Sequence, residues 1–322
     1  LYGILDDDYV YQTITTQECE GSNPLITTYS YNNYHLLIST QKDQGETSLL
    51  TEVEYYANAY DDFSLQPNQF QYPKKQTTTW TDKSITDAPQ SYQETMLFSY
   101  DEYGNKLQQV SPDGTITNYE YYPSGGETTS TNGYTGCPAD PEGFVRLLRS
   151  EQTIPASSDY QDAPRKIAYY RYENLAEVTT SLNRNCILPV QETQCLQNDG
   201  IETLLLTHLA SYINNDSALP DYGRVGSIKA TVFDTSGVGY TLTQNHTYEY
   251  NSESLTHIQS LQTYDSLQVI TQNTCSRYTH QLWSTTDASG NKEEMSYDAC
   301  GRLHQRTRNA GTEYQLSLIH IS

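Results

Sequence analysis

Positive charge is scarce in this chain: 18 Lys and Arg stand against 40 Asp and Glu, a net charge of −22 over 322 residues. Such a surface repels phosphates and anionic headgroups, so neither nucleic acid nor membrane insertion is expected of it. The charged fraction is only 18%, so the imbalance comes from missing bases and not from acidic runs. Long apolar stretches are also missing, and no run approaches the roughly 18 residues of a membrane-crossing helix. Paired cysteine motifs are absent too. The six cysteines (Cys19, Cys137, Cys186, Cys195, Cys275 and Cys300) contain no CxxC, which leaves a zinc site or a thioredoxin-like centre without support. Cys186 and Cys195 lie close enough to bridge across a hairpin, although free, partly buried thiols are the favoured reading.

Catalytic signatures are equally thin. The chain has no GxSxG, HExxH, GxxxxGK[ST] or GxGxxG. Scattered serines and histidines form a hydrolase triad only by combinatorics, and His208 reads as a packed or surface histidine. Carboxylate pairs such as Glu52 with Glu54 and Glu293 with Glu294 are available for glycoside chemistry, but only their separation in space could decide it. Asp6, Asp7 and Asp8 read as a solvated turn, since a cation site needs further spaced oxygen ligands. No catalytic, metal-binding or cofactor-binding residue is assigned, no cofactor is implied, and the chain is expected not to be an enzyme. Sequons occur at Asn215 and Asn245 and carry little weight.

What the chain does have is tyrosine, 30 residues of it, among only 35% hydrophobic residues. Tyr buries one end and keeps the other wet, so amphipathic rings replace aliphatic packing. Abundant aromatics and β-branched residues also argue against disorder. An all-β structure with partly wet faces is expected.

Residues 98–122, FSYDEYGNKLQQVSPDGTITNYEYY, organise the rest. They read as strand, turn, strand, turn, strand, with turns at Asp101–Asn105 and at Pro112-Asp113-Gly114. Pro fixes φ, Asp bonds its own backbone, and Gly accepts the positive φ of tight hairpins. A second copy occupies 283–314, where Asp287 and Gly290-Asn291 repeat the spacing of Asp101 and Gly104-Asn105. Tyr297-Asp298 and Gly301-Arg302-Leu303 repeat it again. Degenerate copies appear at Ser30-Tyr31-Asn32 with Tyr34 and Leu36, at Phe233-Asp234 with Gly237, and at Tyr248–Asn251. A short period with a turn in every copy marks a repeat protein.

Tyr100-Asp101-x-x-Gly104-Asn105-x-Leu107, followed by Pro112-Asp113-Gly114 and by Tyr119-x-Tyr121, resembles the YD repeat of RHS-repeat proteins. Tyr297-Asp298-x-x-Gly301-Arg302-Leu303 resembles it more closely still, while the rest of the chain matches loosely. The resemblance implies antiparallel β-hairpin repeats forming part of a large curved sheet or hollow shell. Such shells occur in bacterial polymorphic toxins and in the B and C components of Tc insecticidal toxin complexes, where they enclose a C-terminal toxin domain. It implies, as partners, an enclosed domain of the same polypeptide and other toxin-complex subunits, and a secreted or cell-surface location. Two alternatives stand beside it: a cell-surface adhesion or carbohydrate-binding YD-repeat protein, with aromatics such as Trp80 and Trp283 stacking on sugars, and a glycosidase on a β-scaffold.

Residues 1–315 read as one continuous repeat segment, truncated at both ends, because Leu1-Tyr2-Gly3 opens in mid-pattern. Residues 316–322 depart from the tyrosine–turn rhythm and read as a tail of non-native origin. Asp140-Pro141-Glu142-Gly143 contains the Asp-Pro-x-Gly of the self-cleaving motif of RHS-type proteins. It lies upstream of further repeats and is followed by Val145-Arg146-Leu147, so it reads as a loop. Residues 61–95, with Pro67, Pro73 and Pro89, read as edge strands and loops. Residues 144–152 and 203–213 admit either a helix or a strand, with strand favoured. Residues 227–233 read as a strand.

Overall fold

The computed structural model describes residues 9–58, 61–84, 90–157, 163–175, 186–214, 219–309 and 312–315. Asp6 to Asp8, Asn215 and the tail 316–322 lie outside the described residues. The described chain is all-β and antiparallel, and its one helical element is a short 3-10 turn at Phe63–Leu65. None of its helices is long and apolar enough to cross a membrane.

Two compact units are present, one formed by residues 1–122 and 145–167, the other by 123–144 and 168–322. In the first, nine strands follow one another: β1 (Tyr11–Gln17), β2 (Leu25–Tyr31), β3 (Leu37–Gln44), β4 (Thr47–Tyr55), β5 (Pro73–Asp82), β6 (Gln90–Tyr100), β7 (Lys106–Val110), β8 (Ile116–Tyr121) and β9 (Leu148–Ile154). Each pairs with the next in sequence. β10 (Arg165–Leu175) begins at the boundary. The second unit continues with β11 (Cys186–Asn198), β12 (Ile201–Tyr212), β13 (Val225–Phe233), β14 (Gly239–Tyr250), β15 (Ser254–Gln262), β16 (Gln268–Ser276), β17 (Leu282–Thr286), β18 (Lys292–Tyr297), β19 (Leu303–Arg308) and β20 (Thr312–Gln315). From β11 onward these too pair in strict succession.

Of the ambiguous stretches, 203–213 falls in β12 as a strand, residues 148–152 begin β9 while 144–147 before them are irregular, and residues 227–233 lie in β13. Residues 61–95 correct the expectation of edge strands. β5 is an interior strand, paired with β4 on one side and β6 on the other. Pro73 is tolerated because it is the first residue of the strand, where a missing N–H breaks no central ladder bond. Cys186 and Cys195 both lie on β11, where an extended backbone carries them apart, so they do not face each other across a hairpin; all six cysteines are free, as the favoured reading had it.

Packing is thin. Among the described residues the buried apolar side chains are only Tyr122 and Ile167 in the first unit and Cys137, Ala168, Val190, Cys195 and Leu255 in the second. Cross-strand hydroxyl contacts supplement them. Thr231 faces Thr241 at 2.8 Å, Thr256 faces Thr274 at 2.9 Å and Ser211 faces Ser227 at 2.8 Å. Each is a directly opposed pair in the register, and such pairs contribute roughly 0.2–1 kcal/mol apiece. Period-2 patterning survives best in β18, where Glu293, Met295 and Tyr297 lie on the more covered face and Lys292, Glu294 and Ser296 on the exposed one.

Positive φ at the hairpins favours glycine, but the surroundings differ. Gly104 (φ +87°) has Tyr72 Oη 2.5 Å from where a Cβ would sit, whereas Gly290 (φ +81°) has open space there. Gly290→Ala is therefore expected to lose about 1–2 kcal/mol from backbone strain alone. Gly104→Ala should lose distinctly more, because the Tyr72 ring must also move. Urea denaturation of the two variants measures the difference; equal losses would contradict it.

Candidate functional site: tyrosine-anchored turns

The Tyr-Asp repeats at 100–104 and 297–301 build a turn in three parts, and the copies at Asp234 and Asp287 share the first two of them. The aspartate supplies the first. Asp101 Oδ1 accepts hydrogen bonds from the N–H groups of Tyr103 (2.9 Å) and Asn105 (2.8 Å). Asp298 does the same for Cys300 and Arg302, Asp287 for Ser289 and Asn291, and Asp234 for Ser236 and Val238. At the degenerate copy, Asn32 accepts from Tyr34 and Leu36. Side chains reinforce these bonds: the Asn105 and Asn291 amides and the Arg302 guanidinium return to their aspartates at 2.8–2.9 Å. The Ser236 hydroxyl holds Asp234 below the ordinary carboxylate range, the Asn291 amide does so for Asp287, and the Arg302 N–H for Asp298.

Glycine is the second part. Gly104, Gly237, Gly290 and Gly301 each follow the aspartate by three residues and adopt φ between +79° and +87°. At Asn32 that place is taken by His35 (φ +62°), which explains how the copy persists without its glycine. Pro112-Asp113-Gly114 closes with the same backbone bonds, Gly114 N–H to Ser111 O and Ser111 N–H to Thr115 O, but its aspartate sits inside the turn, where Asp113 accepts from Thr115.

Tyrosine is the third. The strand pairing slips by one residue immediately before Tyr31, Tyr55, Tyr100, Tyr121, Tyr212 and Tyr297. The same slip precedes Cys195 and Cys275. Tyr is thus the usual residue at the β-bulge that feeds the turn. Tyrosine hydroxyls then tie successive turns together. Tyr31 pairs with Leu37, whose carbonyl accepts a hydrogen bond from Tyr55 Oη at 2.9 Å. Tyr212 pairs with Val225, whose carbonyl accepts from Tyr248 Oη at 3.2 Å. Cys275 pairs with Leu282, whose carbonyl accepts from Tyr297 Oη at 2.8 Å. Tyr100 pairs with Lys106, and the Tyr121 hydroxyl meets the Lys106 backbone. Burial pushes Tyr55, Tyr100, Tyr121, Tyr212 and Tyr248 up in pKa, so each hydroxyl keeps its proton.

The other motif residues take lesser places. Lys106 Nζ stands 4.7 Å from the centre of the Tyr119 ring, and Leu107 is exposed. Leu303 is the bulge partner of Tyr297. Asp140 forms a turn of the same kind in its loop: its Oδ1 accepts from Glu142 and Phe144, and Gly143 (φ +76°) sits three residues on. Sequence reading found the Asp and Gly of each turn. It missed the hydroxyl relay, although a tyrosine closing alternate strands was its visible trace.

Glu293 and Glu294 separate, whereas Glu52 and Glu54, two residues apart on β4, share its exposed face. Glu293 and Glu294 point to opposite faces of β18, toward Arg306 and toward Lys292. Glu54 is engaged by Lys75 at 2.9 Å. Among the described residues no group of three or more His, Cys, Asp or Glu is arranged to hold a metal ion. A cleft of about 220 Å³ in the second unit is lined by Arg171, Glu173, Leu188, Val190, Leu209 and Tyr212. Its Arg171 is already bonded to Glu173 and Gln191.

No family model matches the chain, and no curated protein matches it. Solved structures to which it is similar contain Tc toxin components. One is the crystal structure of TcdB2-TccC3-Cdc42, with a TM-score of 0.24 at 12% identity over 95% of this chain and 20% of that one. TcdB2-TccC3-TEV gives 0.24 at 13%, covering 98% and 20%. The Photorhabdus luminescens Tc holotoxin pore gives 0.19 at 13%, covering 95% and 19%. The chain thus spans about a fifth of those chains' length. Likeness at this level carries no inference about what this chain does.

Removing one hydroxyl from the relay leaves a carbonyl without its bond. Tyr55→Phe and Tyr297→Phe are each expected to lower stability by about 0.5–1.5 kcal/mol. Tyr103→Phe, at an exposed ring, should change nothing measurable. Chemical denaturation of the three variants checks this, and an equal loss at Tyr103 would remove the relay's special role.

Proposed function

We propose that the chain is a non-catalytic segment of an RHS-type β-shell that encloses, and helps deliver, a C-terminal toxin domain of the same polypeptide. Other subunits of a toxin complex would be its further partners, and a secreted or cell-surface location follows from that role. The observation that carries the reading is the recurrence of one turn unit in both sequence and structure: Asp on the turn N–H groups and Gly at positive φ three residues on, with Tyr at the bulge in the copies at Asp101 and Asp298. Strands that pair only in succession, with wet tyrosine and threonine faces, suit a wall better than a compact core. The acidic surface suits a container that does not adhere to nucleic acid or anionic lipid.

Expression of the chain together with the coding sequence downstream of it tests this. Electron cryomicroscopy is expected to find a hollow assembly, and limited proteolysis a C-terminal region protected until denaturant opens the wall. An open sheet with a freely digested C-terminal region would sink the reading.

One observation favours a second reading, a carbohydrate-binding surface. Trp80 on β5 and Tyr92 on β6 are directly opposed, their ring centroids 5.7 Å apart, and both are exposed. The Tyr92 hydroxyl is hydrogen-bonded to Glu94, so an aromatic platform lies beside an acceptor for sugar hydroxyls. On this reading the intact protein binds a glycan array and Trp80→Ala abolishes the signal; an array without hits excludes it.

A further inference from the structure

The second unit contains a pile of four side chains that the turn repeat does not explain. Arg224 lies over the Tyr248 ring at 5.3 Å, and Tyr248 stacks on His257 with centroids 4.8 Å apart. His257 stacks in turn on His246 at 5.0 Å, the two rings only 8° from parallel. His246 Nδ1 and His257 Nε2 are 2.8 Å apart. The register brings them together, since His257 on β15 pairs with Tyr248 and His246 on β14 pairs with Gln259.

A contact of 2.8 Å between two ring nitrogens requires one N–H and one lone pair, so the pair holds a single proton there. Two imidazolium rings would set N–H against N–H. The outer nitrogen of His246, Nε2, is buried without a partner, and a second proton there would place charge in a dry site without an acceptor.

The facing groups do not relieve this. From the turn before β13 come Arg224, which is cationic, and Asp221, whose charge acts on Tyr248 and whose Oδ1 is itself buried without a partner. From β14 comes Tyr248, and across β15 the uncharged Asn273 of β16 stands opposite His257. On the β13 side the nearest paired position is Ser227 opposite Asn245. Burial pushes both imidazoles down in pKa, with His257 acting further on His246, and Arg224 on His257.

We propose that the His246–His257 pair is an acid-sensitive latch between β14 and β15, which holds the strands together while the rings share one proton and releases them when both rings are charged. The unfolded chain takes up protons near the ordinary histidine value of about 6.5, whereas the folded pair refuses them until lower pH. Stability is therefore full above that value and falls as pH drops below it, the unfolding constant rising by up to about tenfold per pH unit for each excluded proton. The latch does not depend on what the chain encloses.

Two measurements test it on the full chain. Histidine resonances followed by NMR between about pH 8 and about pH 5 should show His246 and His257 titrating below the ordinary value. Hydrogen exchange, corrected for the intrinsic pH effect, should show β14–β15 losing protection first as pH falls. The His246→Asn, His257→Gln variant should lose this pH dependence, while His208→Asn, at an exposed ring beside Glu192, should keep it. Ordinary titration of both rings, or β14–β15 protection that does not change with pH, would overturn the proposal without reference to the variants.

Discussion

Backbone pairing between sequence neighbours is the constraint on which this structure rests. Among the described residues so few apolar side chains are buried that most strands cannot be held by a core beneath them. Each strand's N–H and C=O groups are satisfied by the strand before and the strand after. The turns must consequently be exact in register, because a slip of one residue would exchange the two faces of every strand that follows. The aspartate carboxylates, the left-handed glycines and the tyrosine bulges all serve that requirement.

The hydroxyl relay explains why tyrosine is the commonest aromatic. Phenylalanine could fill the same volume at Tyr55, Tyr248 or Tyr297, but it could not cross to the carbonyl of Leu37, Val225 or Leu282. Those carbonyls lie at the first residue of β3, β13 and β17, where the ladder begins and local pairing is weakest. Where cysteine replaces tyrosine at the bulge, as at Cys275, the relay still closes, because the hydroxyl comes from the later strand. Cys195 and Cys137 are buried, and burial pushes both thiols up to about 11, so they behave as small apolar fillers.

Local features were legible in the sequence and pairwise ones were not. Asp101, Asp287 and Asp298 announced their turns because the signal is contained within five residues. The strand character of β9 followed from its flanks, Gly143 before it and Thr153-Ile154-Pro155 at its end. β5 escaped because Pro73 resembles an edge marker, and only the pairing on both sides reveals it as interior. The relay and the His246–His257 stack join residues whose relation exists only after register is set. No periodicity in one strand reports which residue of the next will lie beside it. Ser266, at positive φ without being glycine, hid its turn for the opposite reason: the conformation is fixed by the hairpin and not by the residue.

The succession of strands also determines how such a chain can change over generations. A strand and its neighbour run in opposite directions, so gaining or losing one hairpin, two strands together, leaves every later strand with its direction and its faces intact. Loss of a single strand would invert the direction of all that follows. Length in this architecture is therefore counted in hairpins, and the terminal strand of either unit can accept another pair without any existing contact being rewritten.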